Sequence, residues 1–172
     1  MKLFRYCQKI SPPIEVLIAK NNTAAVGVNQ GLEPVLGIVK LTGERRLVMA
    51  DLPGLIEGAH EGTGLGFEFL RHIERTRIII HILDIMPADG SDPAKNYRQI
   101  RKELEQYSKT LADKKEVIVA NKIDLDTKGA VVKKLRKQLS HRIYPISAVT
   151  GDGIKDLCEL LWKKVKQTKA EK

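Results

Sequence analysis

Val117-Ile118-Val119-Ala120-Asn121-Lys122-Ile123-Asp124 is an apolar run that stops abruptly on a polar tetrad. Four apolar residues without alternation suit a strand covered on both faces, and such strands belong to parallel sheets flanked by helices. Ile78 to Leu83 and Ile143 to Ile146 are runs of the same kind. Helical stretches lie between and after them: Tyr97 to Leu111, opened by Ser91-Asp92-Pro93; Ala130 to Leu139; and Ile154 to Lys166, opened by Gly151-Asp152-Gly153. Val35 to Leu41 and Arg46 to Ala50, joined by Thr42-Gly43-Glu44, read as a hairpin whose strands pair antiparallel. The alternation predicts an α/β three-layer sandwich with a mostly parallel sheet and one antiparallel edge strand.

The bulk properties are compatible with that fold. A chain of 172 residues has the size of one domain, and 42% hydrophobic with 30% charged residues is a globular composition. No apolar run approaches membrane-spanning length, and Met1-Lys2-Leu3-Phe4-Arg5 lacks the apolar core of a signal peptide, so a cytoplasmic location without membrane association is expected. Cys7 and Cys158 are far apart and suggest neither a zinc site nor a disulfide framework. The net charge of +9 could favour a polyanion such as RNA. Part of that surplus is the run Lys163, Lys164, Lys166, Lys169 and Lys172, which reads first as a solvated helix end.

Ligands bind at the carboxyl ends of strands in such sheets. There the sequence places Asp51-Leu52-Pro53-Gly54, Asn121-Lys122-Ile123-Asp124 and Ser147-Ala148. A carboxylate at Asp124 can accept both the ring N–H and the exocyclic amine of guanine, a donor pair that adenine lacks. Asn121 would tie its loop to neighbouring backbone, and the methylene stem of Lys122 would cover the face of the base. Ser147-Ala148 follows Asn121 by about 26 residues, where the Ala148 N–H would meet the guanine carbonyl oxygen. The competing reading is local: Asn121 and Asp124 make an Asx-type turn and cap the helix after Thr127.

Asp51 closes a strand ahead of Pro53 and Gly54, so its carboxylate would project where a water-bound magnesium ion can sit. Gly54 carries no side chain to keep a γ-phosphate from its N–H. An ordinary turn uses the same residue types. Gly58, Gly62, Gly64 and Gly66 make the next stretch one that orders on touching ligand or partner. His72 and His81 fall within helical and strand patterns and read as structural.

Asp51-Leu52-Pro53-Gly54-Leu55-Ile56-Glu57-Gly58-Ala59, Gly64-Leu65-Gly66 and Phe69-Leu70-Arg71-His72-Ile73-Glu74-Arg75-Thr76-Arg77 closely resemble the switch II region of Obg-family GTPases. The resemblance continues through Asp84, Asp92-Pro93, Asn96-Tyr97, Asn121-Lys122-Ile123-Asp124 and Ser147-Ala148, and Leu32 to Val39 resembles the end of switch I. It divides the chain into a divergent segment 1–31, a partial G domain 32–168 and a basic tail 169–172. It implies a cytoplasmic GTP/GDP-binding protein with magnesium as cofactor and the large ribosomal subunit or its RNA as partner, rather than DNA or a membrane. Nucleotide contacts would fall on Asp51, Gly54, Asn121, Lys122, Asp124, Ser147 and Ala148, with Asp51 reaching magnesium through water.

The departures from the family are equally specific. No Gly-x-x-x-x-Gly-Lys-Ser/Thr occurs in the sequence, and the short stretch after the candidate first strand Ile14 to Ala19 leaves no room for a phosphate loop and helix. The switch I threonine falls at Gln30 or Gly31, and Leu55 stands where many GTPases have a glutamine that orients water. Glu57 and His60 are nearby but read first as solvated loop residues. The family's glycine-rich N-terminal domain is expected to be lacking, with no unit after the G domain. Hydrolysis is therefore expected to be impaired. The alternative is a nucleotide-free pseudo-GTPase that acts as a ribosome- or RNA-binding module.

Overall fold

Residues 16–20, 35–51 and 76–170 are described by the computed structural model. Six strands form one sheet: β1 (Val16–Lys20), β2 (Val35–Lys40), β3 (Arg46–Asp51), β4 (Ile78–Asp84), β5 (Lys115–Asn121) and β6 (Ile143–Pro145), in the order β2-β3-β1-β4-β5-β6. All neighbours are parallel except β2 and β3, whose pairing runs from Val35 opposite Asp51 to Lys40 opposite Arg46. The expected α/β architecture with one antiparallel edge strand is thus the observed one. Gly43 and Glu44 both have positive φ, 71° and 56°, and the Leu41 N–H donates to the Arg45 carbonyl at 2.8 Å. Two left-handed residues in a tight turn match the twist of the strands they join.

Helices cover both faces. α1 (Pro93–Tyr107) and α3 (Ala130–Leu139) lie on one side, where Leu83, Ile118 and Ala120 meet Ala94, Tyr97, Leu135 and Leu139. α4 (Ile154–Ala170) covers the other, packing Leu157, Leu161 and Val165 on Val16, Ile80, Val117 and Val119. Each such buried aliphatic side chain stabilises the fold by about 1.5–3 kcal/mol. The pleat explains the near-continuous apolar runs: odd residues of β4 face one helix layer and even residues the other.

Helix boundaries depart from the sequence expectation in two places: α4 runs on past Lys166 to Ala170, and the region of α1 differs at both ends. α1 begins at Pro93, four residues early, because the Asp92 carboxylate accepts from the Ala94 and Lys95 N–H groups at 2.7 and 3.3 Å and proline suits the first turn. It ends at Tyr107 rather than running to Leu111. Ser108 is extended (φ −158°) and caps a separate short helix, α2 (Lys109–Ala112), through the Leu111 N–H. The first strand is Val16–Lys20, and 14 residues separate it from β2. The expected loss of a phosphate loop and first helix concerns those residues, which lie outside the described ones. So do Gly54, Leu55, Glu57, His60, His72 and the glycine-rich stretch 58–66.

His81 is structural, as its strand position suggested: it is fully buried, with its ring edge-on to Tyr97 at 5.2 Å. Its Nε2 lies 3.2 Å from Glu116 Oε2 on the neighbouring strand, and the Tyr97 hydroxyl donates to Glu116 Oε1 at 2.5 Å. Burial alone would raise the Glu116 pKa. The contacts with His81 and Tyr97 and the positive Arg101 outweigh it and hold the carboxyl down at about 2. A carboxyl depressed in the folded state contributes stability that is complete above its unfolded value near 4.5 and is lost as pH falls toward 2. Glu116→Gln should therefore flatten the acid side of the stability curve, by about 2 kcal/mol between pH 5 and pH 3. Urea unfolding of both proteins across that range checks it, and parallel curves would contradict it.

Candidate functional site

Because β1, β3, β4, β5 and β6 run the same way, their carboxyl ends share one edge of the sheet. Asp51 ends β3, Asp84 ends β4 directly opposite Asn121 at the end of β5, and Ser147 follows β6. Asp51 is three strands from Asn121, about 14 Å across the sheet, and the register sets it level with Val117, four residues or about 13 Å short of Asn121 along the strands.

Two loops at the β5–β6 end are stitched together. The Ile146 N–H donates to the Ala120 carbonyl at 2.8 Å and the Ile123 N–H to the Ile146 carbonyl at 3.2 Å. Asn121 Oδ1 accepts the Ala148 N–H at 3.0 Å, which is the backbone tie expected of it. Ser147 is fully buried, and its hydroxyl donates to Asp124 Oδ1 at 2.5 Å while accepting the Thr150 N–H at 3.1 Å. The Ser147 N–H and carbonyl are in turn held by the Asp152 carbonyl and the Gly151 N–H. Asp124 is only partly buried, and among the described residues no donor reaches its Oδ2. Its carboxylate is held at one oxygen and free at the other.

This geometry bears on the capping alternative. The carboxylate that caps the amino end of α3 belongs to Asp126, whose Oδ2 accepts the Val132 N–H at 3.1 Å. Asp124 is not used there. One expectation needs revision: the Ala148 N–H, read as a donor to a base carbonyl, is engaged by Asn121, so it must be shared to reach a ligand.

Lys122 adopts a left-handed conformation (φ 72°, ψ 33°), and its ammonium lies 2.5 Å from Asp84 Oδ2. Asp84 Oδ1 meanwhile accepts the Met86 N–H at 2.9 Å. Asp84 entered the sequence reading only as a point of resemblance. Its signal was an acid ending the central strand level with Asn121, which becomes meaningful only once the register is known.

The expected magnesium contact of Asp51 concerns a side chain that lies outside the described ones. Among the described residues no group of three His, Cys, Asp or Glu side chains could hold a metal, and Asp84 is committed to Lys122. Among the described residues, no helix is long and apolar enough to cross a membrane.

A mostly parallel sheet with one antiparallel edge strand is the fold of GTPase G domains, and solved structures share it. Era in complex with MgGDPNP and a segment of 16S ribosomal RNA superposes with a TM-score of 0.58 at 19% identity, covering 87% of this chain and 55% of that one. An Aquifex aeolicus Era variant bound to GDP and aluminium fluoride gives 0.60 at 21% identity, covering 87% and 56%. Residues 16–122 match the family described as 50S ribosome-binding GTPase. GTPase Obg of Bacillus licheniformis is 51% identical over 128 residues, 73% of this chain and 30% of that protein. GTPase Obg of Aquifex aeolicus is 47% identical over 139 residues, 79% of this chain and 40% of that protein. The chain belongs to the Obg family of GTPases, and it spans roughly a third of the length of these relatives.

Proposed function

We propose that the chain binds guanine nucleotides through its β5–β6 edge, in a cytoplasmic setting, and associates with the large ribosomal subunit or its RNA in ribosome assembly. The observation that carries the nucleotide reading is the pair of side-chain ties between the two loops, Asn121 to Ala148 and Ser147 to Asp124. They present one carboxylate, already oriented, to a donor pair that guanine has and adenine lacks. Lys122, drawn back toward Asp84, would lay its methylene stem along the base. Asp51 and Gly54 would face the phosphates, the former three strands from Asn121 and level with Val117 in the register. The relatives named as GTPase Obg and the family's description as 50S ribosome-binding support the nucleotide and ribosome readings. The Era structure with 16S ribosomal RNA supports an RNA partner more distantly.

Magnesium belongs to the same proposal only by family. Phosphoryl transfer depends on electrostatic positioning by a phosphate loop, its lysine and the metal ligands. With no such loop in the sequence, hydrolysis should be slower by orders of magnitude and phosphate affinity weak. Titration with fluorescent GDP, GTP and ATP tests the reading: a preference for both guanine nucleotides over ATP is expected. Equal or undetectable binding of all three would replace it with the nucleotide-free RNA-binding module. Asp84→Asn gives a second check. The partly exposed ion pair contributes at most about 1 kcal/mol to stability, yet freeing Lys122 should weaken GDP binding several-fold. Unchanged GDP affinity would remove Lys122 from the base site.

A further inference from the structure

We propose that the paired outer faces of α1 and α3 form a docking surface for the phosphate backbone of duplex RNA. The inference rests on the RNA-partner reading above and assigns it a place, on the helix layer opposite α4.

Lys95, Arg98 and Lys102 stand on α1 at a spacing of three and four residues, which makes one exposed stripe about 10 Å long. The Arg98 guanidinium donates to the Gln138 carbonyl on α3 at 3.0 Å, so this stripe borders the neighbouring helix. From the other side, Lys134 and Gln138 lie close enough to Asp92 to act on its carboxyl. α3 contributes Lys133, Lys134, Arg136 and Lys137, all exposed, and contains no acid. Lys95, Arg98 and Lys102 on α1 thus stand beside Lys134 and Lys137 on α3, with Asp92 and Glu105 the acids at the two ends of the stripe, while Arg136 reaches instead to the Ile143 carbonyl.

Helix formation explains only part of this arrangement. Cations favour the last turn of a helix and acids the first. Arg136 and Lys137 follow that rule and the Asp92 and Asp126 carboxylates answer the field at the two amino ends, but Lys95 on α1 and Lys133 on α3 also stand in the first turns. Capping does not call for these two lysines, so their charge is available to an external partner.

The chemistry of the surface selects the partner. Protein interfaces are built around apolar or aromatic anchors with few charges at their centre. Met86, Leu125 and Val149, the large exposed apolar residues of the described chain, lie on neither helix. Single-stranded nucleic acid needs rings on which bases stack. Among the described side chains of these helices the only aromatic ring, that of Tyr97, is buried. Cations without stacking platforms fit a backbone recognised by phosphate position, as in duplex RNA.

The test compares two fourfold neutralised variants of the full chain, matched in charge. One carries Lys95→Gln, Lys102→Gln, Lys134→Gln and Lys137→Gln on the seam. The other carries Lys40→Gln, Lys155→Gln, Lys163→Gln and Lys166→Gln around β2 and α4. Both are checked for unchanged thermal midpoint, and binding to a labelled 20-base-pair RNA hairpin is followed by anisotropy across a potassium chloride series. The seam variant should bind roughly 30-fold more weakly at the lowest salt, with the slope of log affinity against log salt reduced by about 3–4, while the other variant keeps most of both. Wild-type binding with equal loss in the two variants, or loss only in the second, overturns the seam assignment and leaves the RNA reading standing. No wild-type binding to the hairpin, or to isolated large subunits at low salt, overturns the RNA reading itself. Binding to polyglutamate that matches the hairpin in affinity and salt dependence overturns duplex RNA as the partner.

Discussion

Asp124→Asn is expected to lower the affinity for GDP by about 100-fold and to abolish the preference for guanine over adenine nucleotides. The carboxylate is held by the Ser147 hydroxyl at one oxygen, so its direction is set before any ligand arrives. Hydrogen bonds to a charged group contribute about 1.5–3 kcal/mol each, and a bidentate pair with the guanine imino and amine hydrogens depends on both oxygens accepting. An amide replaces one acceptor by a donor, which faces a donor on the base. Losing about 3 kcal/mol corresponds to the stated change in Kd. The Ser147 hydroxyl can still bond the amide, so the thermal midpoint should stay within about 4 °C of the wild type. Titration of both proteins with fluorescent GDP decides the matter: an unchanged Kd would move the base site away from this loop.

Gly153→Ala should destabilise the fold by about 2–4 kcal/mol, a large part of the 5–15 kcal/mol that holds a typical domain together. Gly153 has φ +72°, and a Cβ there would stand 2.5 Å from the Pro145 carbonyl oxygen. The left-handed conformation costs alanine about 1–2 kcal/mol, and the clash is with backbone that can move only by shifting β6. The close approach is what lets α4 start directly beneath the loop carrying Ser147. Gly151→Ala provides the contrast: φ is +89°, but the added Cβ meets nothing within 4 Å, so only the conformational cost applies. Urea unfolding should rank the two variants with Gly153→Ala clearly the worse. Equal losses would show that the contact with Pro145 is relieved at no cost.

The parts of the fold legible in the sequence were those set by local chemistry. Ile78 to Leu83 and Val117 to Ala120 read as doubly covered strands because burial on both faces leaves no polar alternation. Gly43 and Glu44 sit where a two-strand turn demands positive φ. The split between α1 and α2 was not legible, since Tyr97 to Leu111 keeps a helical rhythm of apolar positions through Ser108. A serine can continue a helix or cap the next one, and the choice depends on what its backbone meets.

The candidate site divides in the same way. Asn121, Lys122, Asp124, Ser147 and Ala148 could be named from their positions at strand ends, because the chemistry of a carboxylate or an amide is carried by the residue itself. That Asp126 rather than Asp124 caps α3, that Asn121 takes the Ala148 N–H, and that Asp84 holds Lys122 could not. Each is a contact between groups whose separation is set by strand register and helix docking, or by which of two nearby acids turns inward. By itself the sequence determined the layers, the strand ends and the side chains standing on them, since these follow from periodicity and residue chemistry. Only the tertiary structure decided which polar groups pair, because pairing depends on distances across β4, β5 and β6 that no local pattern encodes.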